Sequence, residues 1–190
     1  PAGTGKTLLA VAAGVHHVLE KSSGSSRHHK LVISRPTQPL GNDIGYLPGT
    51  LEDKMAPWTK PIMDNLGYLF NSDHDKNGKS LIPLYFEKGI FEVEAITYLR
   101  GRSIANAFII IDEAQNLSVH ELKTIITRVG EDTKIVLTGD VEQIDNTYLD
   151  SVSNGLTYAV EKFKDHEIAG HITLIKGQRS ELATLASKIL

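Results

Sequence analysis

The chain has no cysteine in its 190 residues, which excludes disulfides and thiolate metal sites and fits a reducing cytoplasm. Aromatic residues are scarce, at 6% with one tryptophan, so there is little material for a face of stacked rings that would bind single-stranded nucleic acid. No apolar run reaches membrane-spanning length, and the first residues lack the basic-then-apolar order of a signal peptide. No membrane partner is therefore expected. The formal net charge of −3 excludes a bulk polycation, so any nucleic acid has to be met through a local patch. Hydrophobic and charged contents of 41% and 23% are those of an ordinary globular protein, and the length suits one domain.

What is present begins at the first residue. Pro1-Ala2-Gly3-Thr4-Gly5-Lys6-Thr7 matches a phosphate-binding loop, Gly-x-x-x-x-Gly-Lys-Thr, from its second position onward. In such a loop, main-chain N–H groups cradle a triphosphate, the lysine reaches the outer phosphates and the threonine hydroxyl binds Mg²⁺. Ala2, Gly3, Thr4, Gly5, Lys6 and Thr7 are thus candidate nucleotide ligands, and Thr7 is also a candidate metal ligand. A loop of this kind normally follows a buried strand, so sequence upstream of Pro1 is expected.

Apolar residues from Leu8 to Leu19 recur at helical spacing, predicting a helix over residues 5–20. Gly14 weakens it slightly. The Ser/Gly run at 22–26 reads as a loop, and Arg27-His28-His29-Lys30 as a solvated basic turn rather than a metal site. Short β-branched or apolar runs at 31–34, 90–95, 108–111, 134–138 and 172–175 predict strands. Helical stripes are expected from Thr50 to Leu69, interrupted by Pro57 and Pro61, then at 79–88, after Ser118, at 152–163 and from Ser180. On this stripe Trp58 reads as core before it reads as a stacking platform. The loop from Arg35-Pro36 to Gly49 is as much a candidate site wall as a structural excursion. Residues 71–78 lack the closing Glu of a calcium loop and read as solvated. Alternating strands and helices predict an α/β fold, a mostly parallel sheet covered by helices on both faces.

Chemistry concentrates at strand ends. Four apolar residues run into Asp112-Glu113, where charge is costly unless a cation or water uses it. Asp112 is the candidate Mg²⁺ ligand and Glu113 the group that polarises an attacking water, which favours hydrolysis over transfer to a second substrate. Gln143, in Gly139-Asp140-x-x-Gln143, is placed to sense the γ-phosphate or orient that water.

Together the Ala2–Thr7 loop, Ile111-Asp112-Glu113-Ala114-Gln115-Asn116, Thr127-Arg128-Val129-Gly130 and Leu137-Thr138-Gly139-Asp140-x-x-Gln143-Ile144-Asp145 resemble the PhoH-like, phosphate-starvation-inducible ATPases. The resemblance covers nearly the whole chain. Lys176-Gly177-Gln178-Arg179-Ser180 is similar to the form of this domain fused behind a PIN-type ribonuclease domain. What it implies is a RecA-like P-loop core related to superfamily 1 helicases, ATP and Mg²⁺ as cofactors, and ATP hydrolysis coupled to RNA unwinding or RNA metabolism.

Phosphoryl transfer needs more positive charge than Lys6 and Mg²⁺ supply, and an arginine finger can add it. Arg35, Arg100, Arg102, Arg128 and Arg179 are candidates, with Arg179 first, on a polar turn before the last helix, and Arg128 second. One RecA-like unit has no second domain to lend the finger, so a ring of identical subunits, a hexamer, is expected. Arg100-Gly-Arg102, the 27–30 turn and Lys54 offer phosphate contacts to single-stranded RNA. The competing reading is an ATP-dependent switch acting on a protein partner. For the shared site, Arg179→Ala and Lys6→Ala are each expected to be inactive and their mixture to regain ATPase activity. No recovery on mixing, with a fully active wild-type monomer, rules out a shared site.

Overall fold

The structure, a computed structural model, describes residues 3–20, 28–36, 51–70, 80–99 and 103–177, the side chains of 51–58 and of Tyr98 excepted. Several expectations lie outside the described residues. They are Ala2, Arg27, the loop through Gly49, the side chain of Trp58, residues 71–78, Arg100, Arg102, Arg179 and the helix from Ser180.

Ala107-Phe108-Ile109-Ile110-Ile111 has no polar side chain, so as a strand it must be covered on both faces, and all of it is buried. The strands are β1 (Lys30–Arg35), β2 (Phe91–Ala95), β3 (Ala107–Ile111) and β4 (Lys134–Leu137). They form a sheet in the order β2-β1-β3-β4, and every pairing is parallel. The register sets Leu31 beside Phe91 and Phe108, and Ile33 beside Ile110, so alternate residues feed opposite faces.

One face carries Leu31, Ile33, Phe91, Phe108 and Ile110. It is covered by α1 (Lys6–Leu19) through Ala10, Val11 and Val18, and by α2 (Leu51–Leu69) through Ile62 and Leu66, with Phe70 and Ile82 of α3 (Ile82–Glu87) alongside. The other face carries Val32, Ile109 and Ile111. Here α4 (Ile96–Leu99), α5 (Val119–Ile126) and α6 (Gly155–Phe163) contribute Ile96, Leu99, Leu122, Ile125 and Ala159. Each fully buried large apolar side chain contributes about 1.5–3 kcal/mol, more than the helix propensity of any residue but proline, so the two-faced core decides the fold. Gly14 shows the same ranking. Its cost to α1 is accepted because a Cβ there would stand 2.6 Å from Leu31 Cδ1 and 3.1 Å from Phe108 Cδ1.

Parallel pairing places the carboxyl ends of all the strands on one edge of the sheet. The segments after β1, β3 and β4 therefore meet there, beside the amino end of α1. Ser118 starts α5 with the expected capping box, its hydroxyl accepting from Glu121 N while the Glu121 carboxylate accepts from Ser118 N.

Other expectations are corrected. α2 runs unbroken through Pro57 and Pro61. α6 starts at Gly155 rather than 152, because Asn154 caps it by accepting from Thr157 N at 2.9 Å. Val152 and Ser153 stay in the preceding turn, where their N–H groups donate to Asp150. Those bonds, Ser153 first and then Val152, hold the Asp150 carboxyl below its ordinary value. The turn therefore contributes stability above the ordinary carboxylate range and loses it as pH falls. Residues 172–175 are not a strand, and Ile172 and Ile175 are 83% and 85% exposed, because no described strand runs beside them to complete a ladder. His28 is not solvated but buried, with its ring edge-on to Phe108.

Two glycines make a test. A Cβ at Gly155 would lie 2.9 Å from the main-chain oxygens of both Leu117 and Ser118, whereas one at Gly67 meets nothing within 4 Å. In urea unfolding, Gly155→Ala is expected to cost about 1–3 kcal/mol. Gly67→Ala, in α2, is expected to be neutral or to add up to about 1 kcal/mol.

Candidate functional site

Gly3 and Gly5 adopt left-handed backbone, with φ of 70° and 78°, the region where a side chain is strained. Nothing lies within 4 Å of where a Cβ on Gly5 would be, so the loop keeps an open face there. α1 begins at Lys6 with no side-chain cap from Gly5, so the positive end of the helix lies at the loop. A curved run of N–H groups at the positive end of a helix is a cradle for an anion.

The end of β3 supplies the opposite wall. Asp112 is only 3% exposed, and its Oδ1 accepts from Thr7 Oγ1 at 2.9 Å and from Thr138 Oγ1 at 2.6 Å. Residues 105 positions apart are thus in direct contact. Lys6 Nζ lies 3.7 Å from Oδ2 of Asp140, which is also buried. A carboxylate and hydroxyls are the hard oxygen donors that Mg²⁺ takes, so Thr7 and Asp112 fit that ion.

Glu113 follows in left-handed conformation, φ 54° and ψ 40°, which costs a non-glycine residue about 1 kcal/mol or more. Its main chain is fixed by neighbours, as Ala114 N donates to Thr138 O at 2.8 Å and Asn116 N to Glu113 O at 3.0 Å. Both carboxylate oxygens are engaged. Arg35 Nη2 donates to Oε1 at 3.2 Å and Gln115 Nε2 to Oε2 at 2.6 Å. Asn116 Oδ1 accepts from Asp145 N at 2.8 Å, holding the loop after β4 against the end of β3.

Of the residues expected at the site, Gly3, Thr4, Gly5, Lys6, Thr7, Asp112 and Glu113 are brought together. Gln143 arrives through its main chain, its carbonyl accepting from Gln115 Nε2 at 2.8 Å, while the residue itself is exposed. Arg128 is placed elsewhere. Its carbonyl accepts from Ile104 N, ahead of β3, at the amino end of the sheet. Arg35 is the candidate arginine that lies in this chain's own site among the described residues. Thr138, Asp140 and Gln115 had no role in the sequence reading. An acid in the short Thr138-Gly139-Asp140 segment after a predicted strand was the signal for Asp140. The other two are ordinary polar residues until the strands are in register. Among the described residues there is no group of three or more His, Cys, Asp or Glu side chains able to hold a metal, and no helix long and apolar enough to cross a membrane.

A parallel sheet with helices on both faces, and a glycine loop with Lys-Thr facing an acid pair at a strand end, define a P-loop NTPase of the α/β class. The comparisons agree. The family model for PhoH-like protein matches residues 1–189, so the chain belongs to the PhoH-like family, whose members are P-loop NTPases. It is 56% identical over 189 residues to Protein PhoH2 of Bacillus subtilis, covering 100% of this chain and 41% of that protein. To Protein PhoH2 of Thermobispora bispora it is 40% identical over 190 residues, again 100% of this chain and 41% of that protein. A PhoH-like protein of Bacillus subtilis is 38% identical over 164 residues, 86% of this chain and 47% of the relative. The chain thus spans less than half the length of these relatives.

Thr138 offers a test of the buried carboxylate. Thr138→Val keeps the shape and removes one of two hydroxyl donors to Asp112, and is expected to cost about 1–3 kcal/mol in chemical denaturation. A loss below measurement error would show that Thr7 alone satisfies Asp112.

Proposed function

We propose that this chain binds ATP with Mg²⁺ and hydrolyses it. One observation carries the reading, the contact of Thr7 Oγ1 with Asp112 Oδ1, which joins the glycine loop to the acid pair at the carboxyl edge of the sheet. In this reading the N–H groups of Gly3 to Lys6 bind the phosphates. Lys6 leaves Asp140 to reach the outer phosphates, and the two oxygen donors Thr7 and Asp112 hold the metal. Bound Mg²⁺ would offset phosphate charge as the transferring group develops it. Glu113, oriented from both sides, holds the attacking water and takes its proton, while Gln143 at the loop after β4 faces the γ-phosphate. Arg35 has a placement in the same subunit, whereas Arg128 and Arg179 are offered to a neighbouring subunit in a ring, the hexamer of the sequence reading.

The proposal extends to single-stranded RNA as the polymer that hydrolysis acts on. It rests there on the family resemblance and on Arg27, Lys54, Arg100 and Arg102, since His28 is buried and Lys30 pairs with Glu92 at 2.9 Å. The PIN-type ribonuclease fusion belongs to the same proposal. It is consistent with a chain that matches 41% of the length of Protein PhoH2 from Bacillus subtilis.

In the full-length protein, Lys6→Ala is expected to abolish ATP binding. Glu113→Gln should retain binding and lower kcat by about 10²–10⁴-fold, the share of a positioned acid–base group. Added single-stranded RNA is expected to stimulate wild-type hydrolysis and to leave Glu113→Gln unstimulated. Hydrolysis by Glu113→Gln at the wild-type rate would remove Glu113 from the reaction. Absence of RNA stimulation would favour a protein partner instead.

A further inference from the structure

Gln115 is fully buried, and its carboxamide is used at every polar position that matters. Nε2 donates to Glu113 Oε2 at 2.6 Å and to the Gln143 carbonyl at 2.8 Å, while Oε1 accepts from Asp140 N at 3.1 Å. The amide orientation follows from these partners, since the flipped form would set its oxygen against a carboxylate and a carbonyl.

Two of the three bonds go to the main chain of the loop after β4, as a buried amide needs. The third is different. The Glu113 side chain is 27% exposed, so water can solvate its carboxylate, and the short bond from Gln115 is not required to make its burial tolerable. What that bond does is orient. With Arg35 on the other oxygen, it fixes the plane of the carboxylate. Gly139 leaves room for the other end of the carboxamide, because a Cβ there would run into Gln115 Oε1 and Leu156 Cδ2.

Resting on the nucleotide reading above, we infer that Gln115 is a positioning residue for hydrolysis. It locks the Glu113 carboxylate to the Asp140–Gln143 loop, so that the group holding water and the loop facing the γ-phosphate keep one fixed relation. It touches neither nucleotide nor water and acts through Glu113.

The test uses the full-length protein with Gln115→Met, which keeps length and removes all three bonds, and Gln115→Glu, which keeps an acceptor for Asp140 N but loses the donor to Glu113. ATP turnover gives kcat, and a fluorescent ATP analogue gives nucleotide affinity. Both variants are expected to lose about 10- to 100-fold in kcat, the effect of a small misplacement at the reacting group, with affinity changed less than about threefold. In a Glu113→Gln background, Gln115→Met is expected to lower the residual kcat less than about threefold, because the group it acts through is already gone. A merely structural role predicts the full loss in both backgrounds. That result, an equal loss of affinity, or an unchanged kcat overturns the inference. If Gln115→Met does not fold, Gln115→Glu carries the comparison in both backgrounds. Wild-type turnover by Glu113→Gln would remove Glu113 from the reaction and this inference with it, whereas a wild type that neither binds nor hydrolyses ATP would overturn the nucleotide reading itself. A strongly impaired Glu113→Gln beside a fully active Gln115→Met overturns this inference alone.

Discussion

A carboxylate at the end of a wholly apolar strand is the constraint around which the rest of this molecule is arranged. Asp112 follows five buried residues and is itself almost out of water, where an unpaired charge would cost several kcal/mol. Hydroxyls from two distant places answer it, Thr7 at the start of α1 and Thr138 at the end of β4. For both to arrive, the glycine loop and β4 have to converge on β3. The charge and the topology therefore depend on each other.

The parallel sheet makes that convergence possible. Because β1, β3 and β4 run the same way, Arg35, Asp112 and Thr138 all fall on one edge, and chemistry brought by any strand end can be shared. Helices on both faces supply the apolar contacts that keep the edge rigid. α1 lies close enough to the sheet that Gly14 has no space for a Cβ. Behind the acid pair, Gln115 and Asn116 tie the loop after β4 to the end of β3 with side-chain amides. Such polar links are strong in a low-dielectric interior, and they leave Glu113 in a strained conformation that only its surroundings maintain.

Much of this was legible in the residues. Periodicity placed β1, β2, β3 and β4 and the helices α1, α2, α5 and α6, because buried strands and amphipathic helices write their environment into the order of apolar side chains. Ser118 and Glu121 announced their capping box, which is wholly local. The misreadings have different causes, two of them non-local. Residues 172–175 have the composition of a strand, but a strand exists only with a ladder partner. The start of α6 was set by Asn154 rather than by the apolar stripe, and His28 was drawn inside by Phe108, a neighbour in space and not in sequence.

The sequence by itself determined the chemistry on offer: a glycine loop with Lys6 and Thr7, and an acid pair after an apolar run. Their types and spacing are properties of short segments, each shaped by local sterics and charge. Only the tertiary structure decided which groups touch. It set Arg35 and Gln115 on the two oxygens of Glu113, Thr138 on Asp112 and Lys6 beside Asp140, and it put Arg128 at the opposite end of the sheet. Those pairings follow from parallel register and from packing between segments as far apart in the chain as Lys6 and Asp140, which no local pattern encodes.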